Sequence, residues 1–247
     1  IAQCLVGSEM CIRDRLYLHF TMDDNLSLSE KIKERYRSMY TGVFYRRYIL
    51  GLWAMAEGII YDMFDTAKHV ISNLSELTNA NCYVSCDYGT QNATVFLLWC
   101  KDRLGRWVCC REYYYSGRDE ERQKTDTEYA DDLEQWLDGI KPVKMVIDPS
   151  AASFIAELKK RGYAIKKAKN DVLDGIRFVA SLLNQGKIAI SDQCPNTIKE
   201  FGSYIWDQKA SERGEDKPVK QHDHAMDALR YFCYTIIRKP GSISILK

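Results

Sequence analysis

Between residues 82 and 116 the chain alternates short apolar runs with polar breaks, a pattern typical of β-strands joined by turns. The three runs are CYVSCDYG (82–89), ATVFLLWC (93–100) and RWVCCREYYY (106–115). The turn-like stretches TQN and KDRLG separate them. This pattern predicts an antiparallel meander of three strands.

Beyond the meander, most apolar positions recur at helical spacing, and two short runs have the character of strands. The predicted elements are a helix over 126–138, a buried strand VKMVID (143–148), a helix within 149–162, a strand YAIKKAK (163–169), helices over 172–186 and 195–209, a charged loop over 210–220 and a last helix over 223–237. Three antiparallel strands followed by this alternation predict an α/β fold, in which helices flank a mixed sheet of antiparallel and then parallel strands.

The N-terminal part has a different character. The stretch LVGSEMCIRD (5–14) resembles the conceptual translation of a transposase-tagging sequencing adapter. We therefore expect residues 1–14 to be an artefact and exclude them from fold reasoning. Residues 25–50 have a helical pattern with Ser27 or Ser29 as N-cap, and the polar stretch SNLSELTNAN (72–81) has the character of a connector.

Composition narrows the class of protein. The 247 residues are 46% hydrophobic and 28% charged, which is typical of a globular domain. The net charge of +1, from 35 basic and 34 acidic residues, does not by itself indicate a nucleic-acid partner. No apolar run approaches the roughly 18 residues of a membrane span. Nine cysteines without C-x-x-C spacing predict reduced, mostly buried thiols rather than a zinc site or a disulfide framework.

Two aspartates stand where predicted strands end. Asp87 closes the first strand of the meander, and Asp148 closes the buried VKMVI strand. In sheets flanked by helices, functional sites gather at the carboxyl ends of strands. A carboxylate at such a position requires a nearby cation or hydrogen-bond donors. For each aspartate taken alone, ordinary turn chemistry is the better explanation, since one precedes YG and the other precedes proline.

The segment KQHDHAMDALRY (220–231) crowds charged groups at the start of an apolar helix. Asp223 is the predicted N-cap of that helix. His224 and Asp227 are three residues apart and share one helix face. Asp227 lies too far into the helix to cap it. On this segment alone, Asp227 is either a metal ligand or an ordinary helix residue, which is solvated or paired with Arg230 at i+3.

Four segments, in order, resemble the C-terminal nuclease domain of the large terminase subunit of tailed bacteriophages and prophages. They are YVSCDYGTQNATVFLLW, VKMVIDPSAASFIAELKKRG, KNDVLDGIRFV and KPVKQHDHAMDALRY, and they cover most of residues 82–234. The resemblance implies a ribonuclease H-like fold. Residues 19–65 resemble the end of the same family's ATPase domain. We therefore expect the end of an ATPase domain and its linker over 15–75, truncated upstream, and a nuclease domain over 76–247.

The resemblance also implies a site. The family's acidic triad carries over to Asp87, Asp148 and Asp227, and His224 matches a position that joins the metal site in some members. The implied cofactors are two Mg²⁺ or Mn²⁺ ions, which suit carboxylate ligands. Because three carboxylates that lack metal repel one another, at least one of their pKa values should be raised. Lys217 and Lys220, in the loop before the last helix, are candidate contacts to DNA phosphates.

The implied activity is a metal-dependent endonuclease of the viral packaging motor that cuts concatemeric double-stranded phage DNA. Its implied partners are DNA, a portal protein and the small terminase subunit, in the cytoplasm of a bacterial host. The sequence contains no G-x-x-x-x-G-K-[ST] motif, so this chain alone should not drive DNA translocation. An oligomeric motor is expected only for the full-length protein.

Three other functions fit parts of the pattern. A Holliday-junction resolvase or a transposase would share the fold and the carboxylates and differ in substrate. A sugar-kinase-like or actin-like ATPase would explain DYGTQNATV, but it would need a glycine-bearing phosphate loop where Asp148 is followed by PSAAS. The non-enzymatic alternative is a structural module of the packaging motor whose acidic cluster is inert.

Overall fold

A computed structural model describes residues 19–75, 77–90 and 92–238, with the side chains of residues 78–80 outside the description. The expected artefact at residues 1–14 lies outside the described residues. The described chain forms a seven-stranded sheet with helices on both faces. The α/β class and the mixed sheet predicted from the sequence are confirmed.

The strands of the sheet are ordered β1-β7-β4-β3-β2-β5-β6. Their bounds are β1 Val70–Ile71, β2 Leu77–Asp87, β3 Ala93–Asp102, β4 Trp107–Ser116, β5 Lys144–Ile147, β6 Ile165–Lys167 and β7 Ile188–Ser191. The meander β2–β3–β4 is antiparallel, as predicted. The pairs β2/β5, β5/β6, β4/β7 and β1/β7 are parallel.

The described α-helices vary from one turn to more than three turns in length. They are α1 Glu30–Met39, α2 Gly42–Tyr48, α3 Thr66–His69, α4 Asp126–Leu137, α5 Ala152–Lys160, α6 Val172–Asn184, α7 Pro195–Ser203, α8 Gln208–Glu212 and α9 His224–Phe232. A short 3₁₀ turn precedes α1, and a π-helical turn over Cys233–Ile237 continues α9.

Two apolar layers hold the sheet, one on each face. On one face α4 and α5 pack against alternate side chains of β2 and β3, among them Val84 and Phe96. On the other face α6, α7 and α9 cover the remaining side chains of the same strands, among them Trp99. Because successive side chains of a strand point to opposite faces, Asp87 at the end of β2 lies on the α9 face, opposite to Cys86.

Two strands were missed from sequence. Residues 188–191 pair with both β4 and β1, although their sequence pattern predicts no strand. The run IAIS has only four residues, all of them buried, so it is too short to show a strand period or a helix period. β1 has only two residues, and its pairing with β7 depends on a contact more than a hundred residues away in the chain.

Two predicted helices are interrupted. The helix expected over 25–50 ends at Met39, and α2 restarts at Gly42, which has a positive φ of 53°. The helix expected over 195–209 ends at Ser203, because Ile205 and Trp206 form isolated β-bridges with Ile59 and Pro218. These bridges are long-range contacts that override the local helical pattern.

The prediction of reduced thiols was wrong for one pair. Cys82 and Cys100 lie opposite each other on β2 and β3 and form a disulfide. Eighteen residues separate them, and only the register of the meander makes them neighbours. The remaining described cysteines are free and buried, as expected, namely Cys86, Cys109, Cys110, Cys194 and Cys233.

Residues upstream of the sheet share its core. Val43, Phe44, Ala56, Ile60 and Tyr61 belong to the same buried cluster as α6, α7 and α9. Across the described residues, no helix is long and apolar enough to cross a membrane.

Candidate active site

Asp87 and Asp148 lie at neighbouring strand ends. β2 and β5 run parallel, and Cys86 of β2 lies opposite Ile147 of β5. Asp87 and Asp148 are the residues that directly follow this pair, so both lie at the carboxyl edge of the sheet. The sheet therefore places the two aspartates side by side at one edge, where functional sites gather, while Asp148 also accepts the Ser150 N–H in an ordinary turn.

The helix α9 brings the other two candidate residues to the same edge. It packs across β2 and β3 and carries His224 in its first turn. The His224 Nδ1 atom lies 2.9 Å from Asp87 Oδ2, which is a direct hydrogen bond between the helix and the strand end. Asp227, one turn further along the helix, is buried.

The contact between Asp87 and His224 acts on the pKa values of both residues. Burial raises the pKa of Asp87, and the hydrogen bond from His224 only partly offsets that effect. Burial lowers the pKa of His224, but the hydrogen bond and charge of Asp87 outweigh it, so the net direction is upward. The predicted raised pKa among the three carboxylates is confirmed. Its principal cause is burial, and repulsion by Asp227 contributes less.

Asp227 is held by two cations. The buried Arg230 donates from Nη2 to Asp227 Oδ1 at 2.8 Å, which is the i+3 pair considered from sequence. The Lys220 Nζ atom donates to Asp227 Oδ2 at 3.3 Å and to Asp223 Oδ2 at 3.1 Å. Lys220 therefore occupies the side of Asp227 that Arg230 leaves open.

The carboxylate of Asp148 accepts hydrogen bonds from residues other than the cations that hold Asp227. The Ser150 N–H donates to Asp148 Oδ1 at 2.8 Å, and Asn170 Nδ2 lies 3.5 Å from Oδ2. Burial raises the pKa of Asp148, but the hydrogen bonds from Ser150, Tyr231 and Asn170 outweigh it and lower the pKa overall. These donors therefore favour the charged form of Asp148.

The predicted role of Asp223 as a side-chain cap was wrong. Asp223 stands at the N-cap position of α9 but makes no side-chain capping bond, and its carboxylate faces Lys220 instead. The N–H groups of Ala225 and Met226 donate to Glu200 Oε2, at 2.8 and 3.1 Å. Burial raises the pKa of Glu200 to about 7.

A cleft of about 400 Å³ opens onto Asp87, His224, Asp227 and Lys220. It also reaches Arg118, an exposed cation on the turn after β4. Lys217, the second predicted phosphate contact, is not among the residues that line this cleft. It lies exposed beside Glu215, with Nζ 2.6 Å from Glu215 Oε2.

The donor chemistry at the edge fits a hard divalent cation. Carboxylate oxygens of Asp87, Asp148 and Asp227 and the ring of His224 are ligands that Mg²⁺ or Mn²⁺ accepts. In the described part of the chain, however, no group of three such side chains is close enough to hold an ion. The carboxylates are instead neutralised by His224, Arg230, Lys220 and backbone donors.

Sequence reasoning missed Glu200, Tyr231, Asn170 and Arg118. Glu200 lies beside the core residue Phe201 on α7, and nothing in its local pattern separates it from a solvated helix residue. Tyr231 follows Arg230 in a helix that is buried on nearly every side, where it has the pattern of a core aromatic. Their positions depend on how helices pack, which no local spacing shows.

A mixed sheet of three antiparallel strands extended by parallel strands and flanked by helices, with acidic residues at adjacent strand ends, is the arrangement of the ribonuclease H-like class of folds. Comparison with known proteins makes the assignment specific. The profile of the terminase RNaseH-like domain matches residues 107–234, which is more than half of the chain. The chain therefore belongs to this family, and the resemblance to terminase nuclease domains is confirmed.

Individual relatives agree with the family assignment. The structure of the large terminase of a thermophilic bacteriophage, in complex with ADP, superimposes with a TM-score of 0.85 at 57% identity. The match covers 91% of this chain and 56% of that chain. The terminase large subunit of Escherichia phage T5 is 26% identical over 232 residues, which are 90% of this chain and 52% of the relative. The chain thus spans about half the length of both relatives.

The large terminase nuclease domain of phage P22 supports the fold alone. It superimposes with a TM-score of 0.57 at 16% identity, over 72% of this chain and 92% of that domain. Its near-complete coverage places the ribonuclease H-like unit within the described sheet and helices.

Proposed function

We propose that this chain is a metal-dependent DNA endonuclease, the cutting part of a phage genome-packaging motor. The observation that carries the proposal is that Asp87 and Asp148 follow paired positions of two neighbouring strands, while α9 brings His224 to Asp87 and places Asp227 in the cleft that Asp87 lines. Family membership supports a nuclease, and the arrangement of carboxylates supports dependence on a divalent metal.

In this proposal Asp87, Asp148 and Asp227 are the metal ligands, and His224 lies beside them. Two divalent ions at such a site would activate an attacking water and stabilise the leaving oxygen of a phosphodiester. The carboxylates themselves bind and orient, while Arg230 holds Asp227 from behind through a buried hydrogen bond. His224 holds Asp87 at the cleft through the contact between its Nδ1 atom and Asp87 Oδ2.

The occupied carboxylates set a condition for metal binding. Lys220 is exposed and must leave Asp227 Oδ2 before a metal can use that oxygen. Once released, its ammonium group lies at the mouth of the cleft, where it can contact a phosphate of the DNA backbone. Lys217, further from the cleft, is the weaker of the two proposed contacts.

The wider context is part of the same proposal. The full-length protein would carry an ATPase domain upstream, with residues 15–75 as its end and linker and residues 76–247 as the nuclease, and the end of the ATPase domain would pack into the core on one face of the nuclease sheet. It would work with a portal protein and a small terminase subunit on concatemeric double-stranded DNA, in the cytoplasm of the bacterial host. The large terminase of the thermophilic bacteriophage, solved in complex with ADP, supports a nucleotide-binding part in the longer relatives.

Plasmid cleavage by the whole chain tests the proposal. With Mg²⁺ or Mn²⁺ we expect linearised and degraded plasmid, and with EDTA no cleavage. Asp87→Ala, Asp148→Ala and Asp227→Ala should each lower the rate by about a hundredfold or more, because each removes a charged group that acts in the transition state. Asp119→Asn, at an exposed carboxylate lining the same cleft, is the matched control and should retain activity.

The substrate separates this function from its rivals. Cleavage of linear duplex in preference to four-way junctions is the expected result, whereas a preference for junctions would favour a resolvase. An inert structural module predicts no metal-dependent cleavage at all. Metal-dependent activity that survives in all three aspartate variants would refute the site assignment.

A further inference from the structure

The helix that carries His224 and Asp227 is capped by a residue from another helix. At the N-cap, Asp223 has φ −118° and ψ 6°, away from the extended backbone of a usual N-cap, and its carboxylate faces Lys220. The backbone donors that a cap normally satisfies are those of the second and third helical residues. In α9 these are Ala225 and Met226.

Glu200 of α7 accepts both hydrogen bonds. Its Oε2 atom receives the Ala225 N–H at 2.8 Å and the Met226 N–H at 3.1 Å. The hydroxyl of Tyr114, a residue that lines the cleft, donates to Oε1 at 3.1 Å. Glu200 is only 3% exposed, so water does not compete for these three bonds.

The helix α7 is anchored in the same manner. Its N-cap, Cys194, makes no side-chain capping bond. Glu112 of β4 accepts instead from the backbone N–H groups of Asn196 and Thr197, at 2.7 and 2.9 Å, which again are the second and third helical residues. It also accepts from the side chains of both. The sheet thus fixes α7 through Glu112, and α7 fixes α9 through Glu200.

We propose that Glu200 is a positioning residue for the nuclease site, which holds the first turn of α9 so that His224 and Asp227 face the carboxyl edge of the sheet. This inference rests on the function proposed above. His224 is the first helical residue and Asp227 the fourth, so the two peptide groups that Glu200 binds lie between them.

Geometry explains why a cap matters here. The hydrogen bond from His224 to Asp87 joins the first turn of α9 directly to β2. If that turn frays, His224 leaves Asp87, and Asp227 turns away from the site. Displacements of about 1 Å in an active site cost on the order of a hundredfold in rate. A helix end without a capping group is prone to such fraying.

Three substitutions test the proposal in the whole chain. Glu200→Ala removes the acceptor, and Glu200→Asp shortens its reach while retaining the charge. Glu200→Gln retains the length and one acceptor oxygen, which suffices for the two backbone N–H groups because both bind Oε2. Thr125→Ala is the matched control, since it removes a side-chain cap from α4, on the opposite face of the sheet.

The first measurement is the ring ¹⁵N chemical shifts of His224 in metal-free protein, which report its contact with Asp87 without any cleavage. We expect them to change in Glu200→Ala and Glu200→Asp and to stay near wild type in Glu200→Gln and Thr125→Ala. The second measurement is plasmid cleavage. In Glu200→Ala and Glu200→Asp, kcat should fall roughly tenfold or more because His224 and Asp227 are misplaced, while KM for DNA changes little.

The outcomes separate this inference from the proposed function. Unchanged His224 shifts in Glu200→Ala would overturn it, as would equal changes in Thr125→Ala. If Glu200→Ala does not fold, which circular dichroism shows, the Asp and Gln variants decide by the same criterion. An absence of cleavage in wild type would refute the proposed function, while the His224 shifts would still report whether Glu200 positions the helix.

Discussion

At the scale of single residues, Asp227 is placed between two cations of very different mobility. The side chain of Arg230 is 2% exposed and that of Lys220 is 62% exposed. Arg230 is therefore a fixed part of the site, since it also donates to the backbone carbonyl of Asn170 at 3.0 Å. Lys220 is the exchangeable cation, and its partners Asp223 and Asp227 raise its pKa against the lowering effect of burial.

Lys220→Met should therefore tighten metal binding and weaken DNA binding. Removal of this largely exposed ammonium group, which competes with the metal for Asp227, should make the free energy of Mn²⁺ binding more favourable by about 1 kcal/mol or less. The dissociation constant for Mn²⁺ should then fall a few-fold. The same change should raise KM for plasmid DNA, because a phosphate contact is lost. Calorimetric titration with Mn²⁺ measures the first effect. Lys217→Met is the control, and a gain in Mn²⁺ affinity there as large as in Lys220→Met would show that Lys220 does not compete at Asp227.

Glu200 also gives the protein a defined dependence of stability on pH. Its pKa rises from an ordinary value of 4.5 to about 7 in the folded chain. The folded state then binds this proton more strongly than the unfolded state. The free energy of unfolding should fall as the pH rises through this range, and the loss is complete above about 7.

The size of this effect can be isolated with Glu200→Gln, which does not titrate. Each pH unit between the folded and unfolded pKa values corresponds to about 1.36 kcal/mol, so the wild type should lose roughly 2–3 kcal/mol relative to the variant between about pH 5 and pH 8. Urea unfolding of both proteins with EDTA at each pH measures the difference. If the free energies of unfolding of wild type and Glu200→Gln differ by the same amount at about pH 5 and about pH 8, Glu200 is ionised in the folded chain at both pH values.

At the scale of elements, the period of apolar residues was enough to predict most of the sheet and helices. The meander alternates strongly, and α4 and α5 begin and end with recognisable helix signals. The same signals placed Asp87 and Asp148 at strand ends. The capping of α9 could not be predicted, because Glu200 is more than twenty residues from the helix it caps, and a local aspartate offered the more obvious cap.

The packing of α6 against α9 is another feature that no local signal shows. A Cβ atom added at Gly175 of α6 would lie 2.6 and 2.7 Å from Cγ and Cδ of Arg230. These are inner atoms of a buried side chain that holds Asp227, so they cannot easily move. Gly175 is therefore a position where α6 approaches α9 closely, and its lack of a side chain lets Arg230 reach Asp227.

Gly175→Ala should destabilise the protein by about 1–3 kcal/mol, the usual cost of overpacking, and should lower cleavage through Arg230. Gly202→Ala in α7 is the matched control, because a Cβ there has no neighbour within 4 Å. In that open position the better helix propensity of alanine should stabilise by up to about 1 kcal/mol. In urea unfolding, the free energy of unfolding should fall in Gly175→Ala and rise in Gly202→Ala. Equal changes in the two variants would rule out the close contact between Gly175 and Arg230.

At the scale of the whole molecule, residues before the sheet are bound to it more tightly than the composition indicates. The polar stretch 72–81 suggested a linker, with the nuclease domain starting at residue 76. In the structure Tyr61 stacks on Tyr204, and Arg47 forms an ion pair with Asp216. The hydroxyl of Ser211 donates to the carbonyl oxygen of Ala56. The polar composition of a segment does not show whether the apolar side chains before it and after it pack into one core, so it does not by itself mark a domain boundary.

A fragment of residues 76–247 should consequently be much less stable than the whole chain, since it lacks the buried side chains of Phe44 and Tyr61. Phe44→Ala in the whole chain should cost about 3–5 kcal/mol, the range for a buried aromatic residue. Trp53→Ala is the control, because Trp53 is 93% exposed and surface substitutions change stability by about 0.5 kcal/mol or less. Urea unfolding, monitored by circular dichroism, measures the free energy of unfolding of the fragment and of both variants against that of the whole chain. A fragment as stable as the whole chain would establish residue 76 as a true domain boundary, and an unfolded fragment would mean that cleavage assays require the upstream residues.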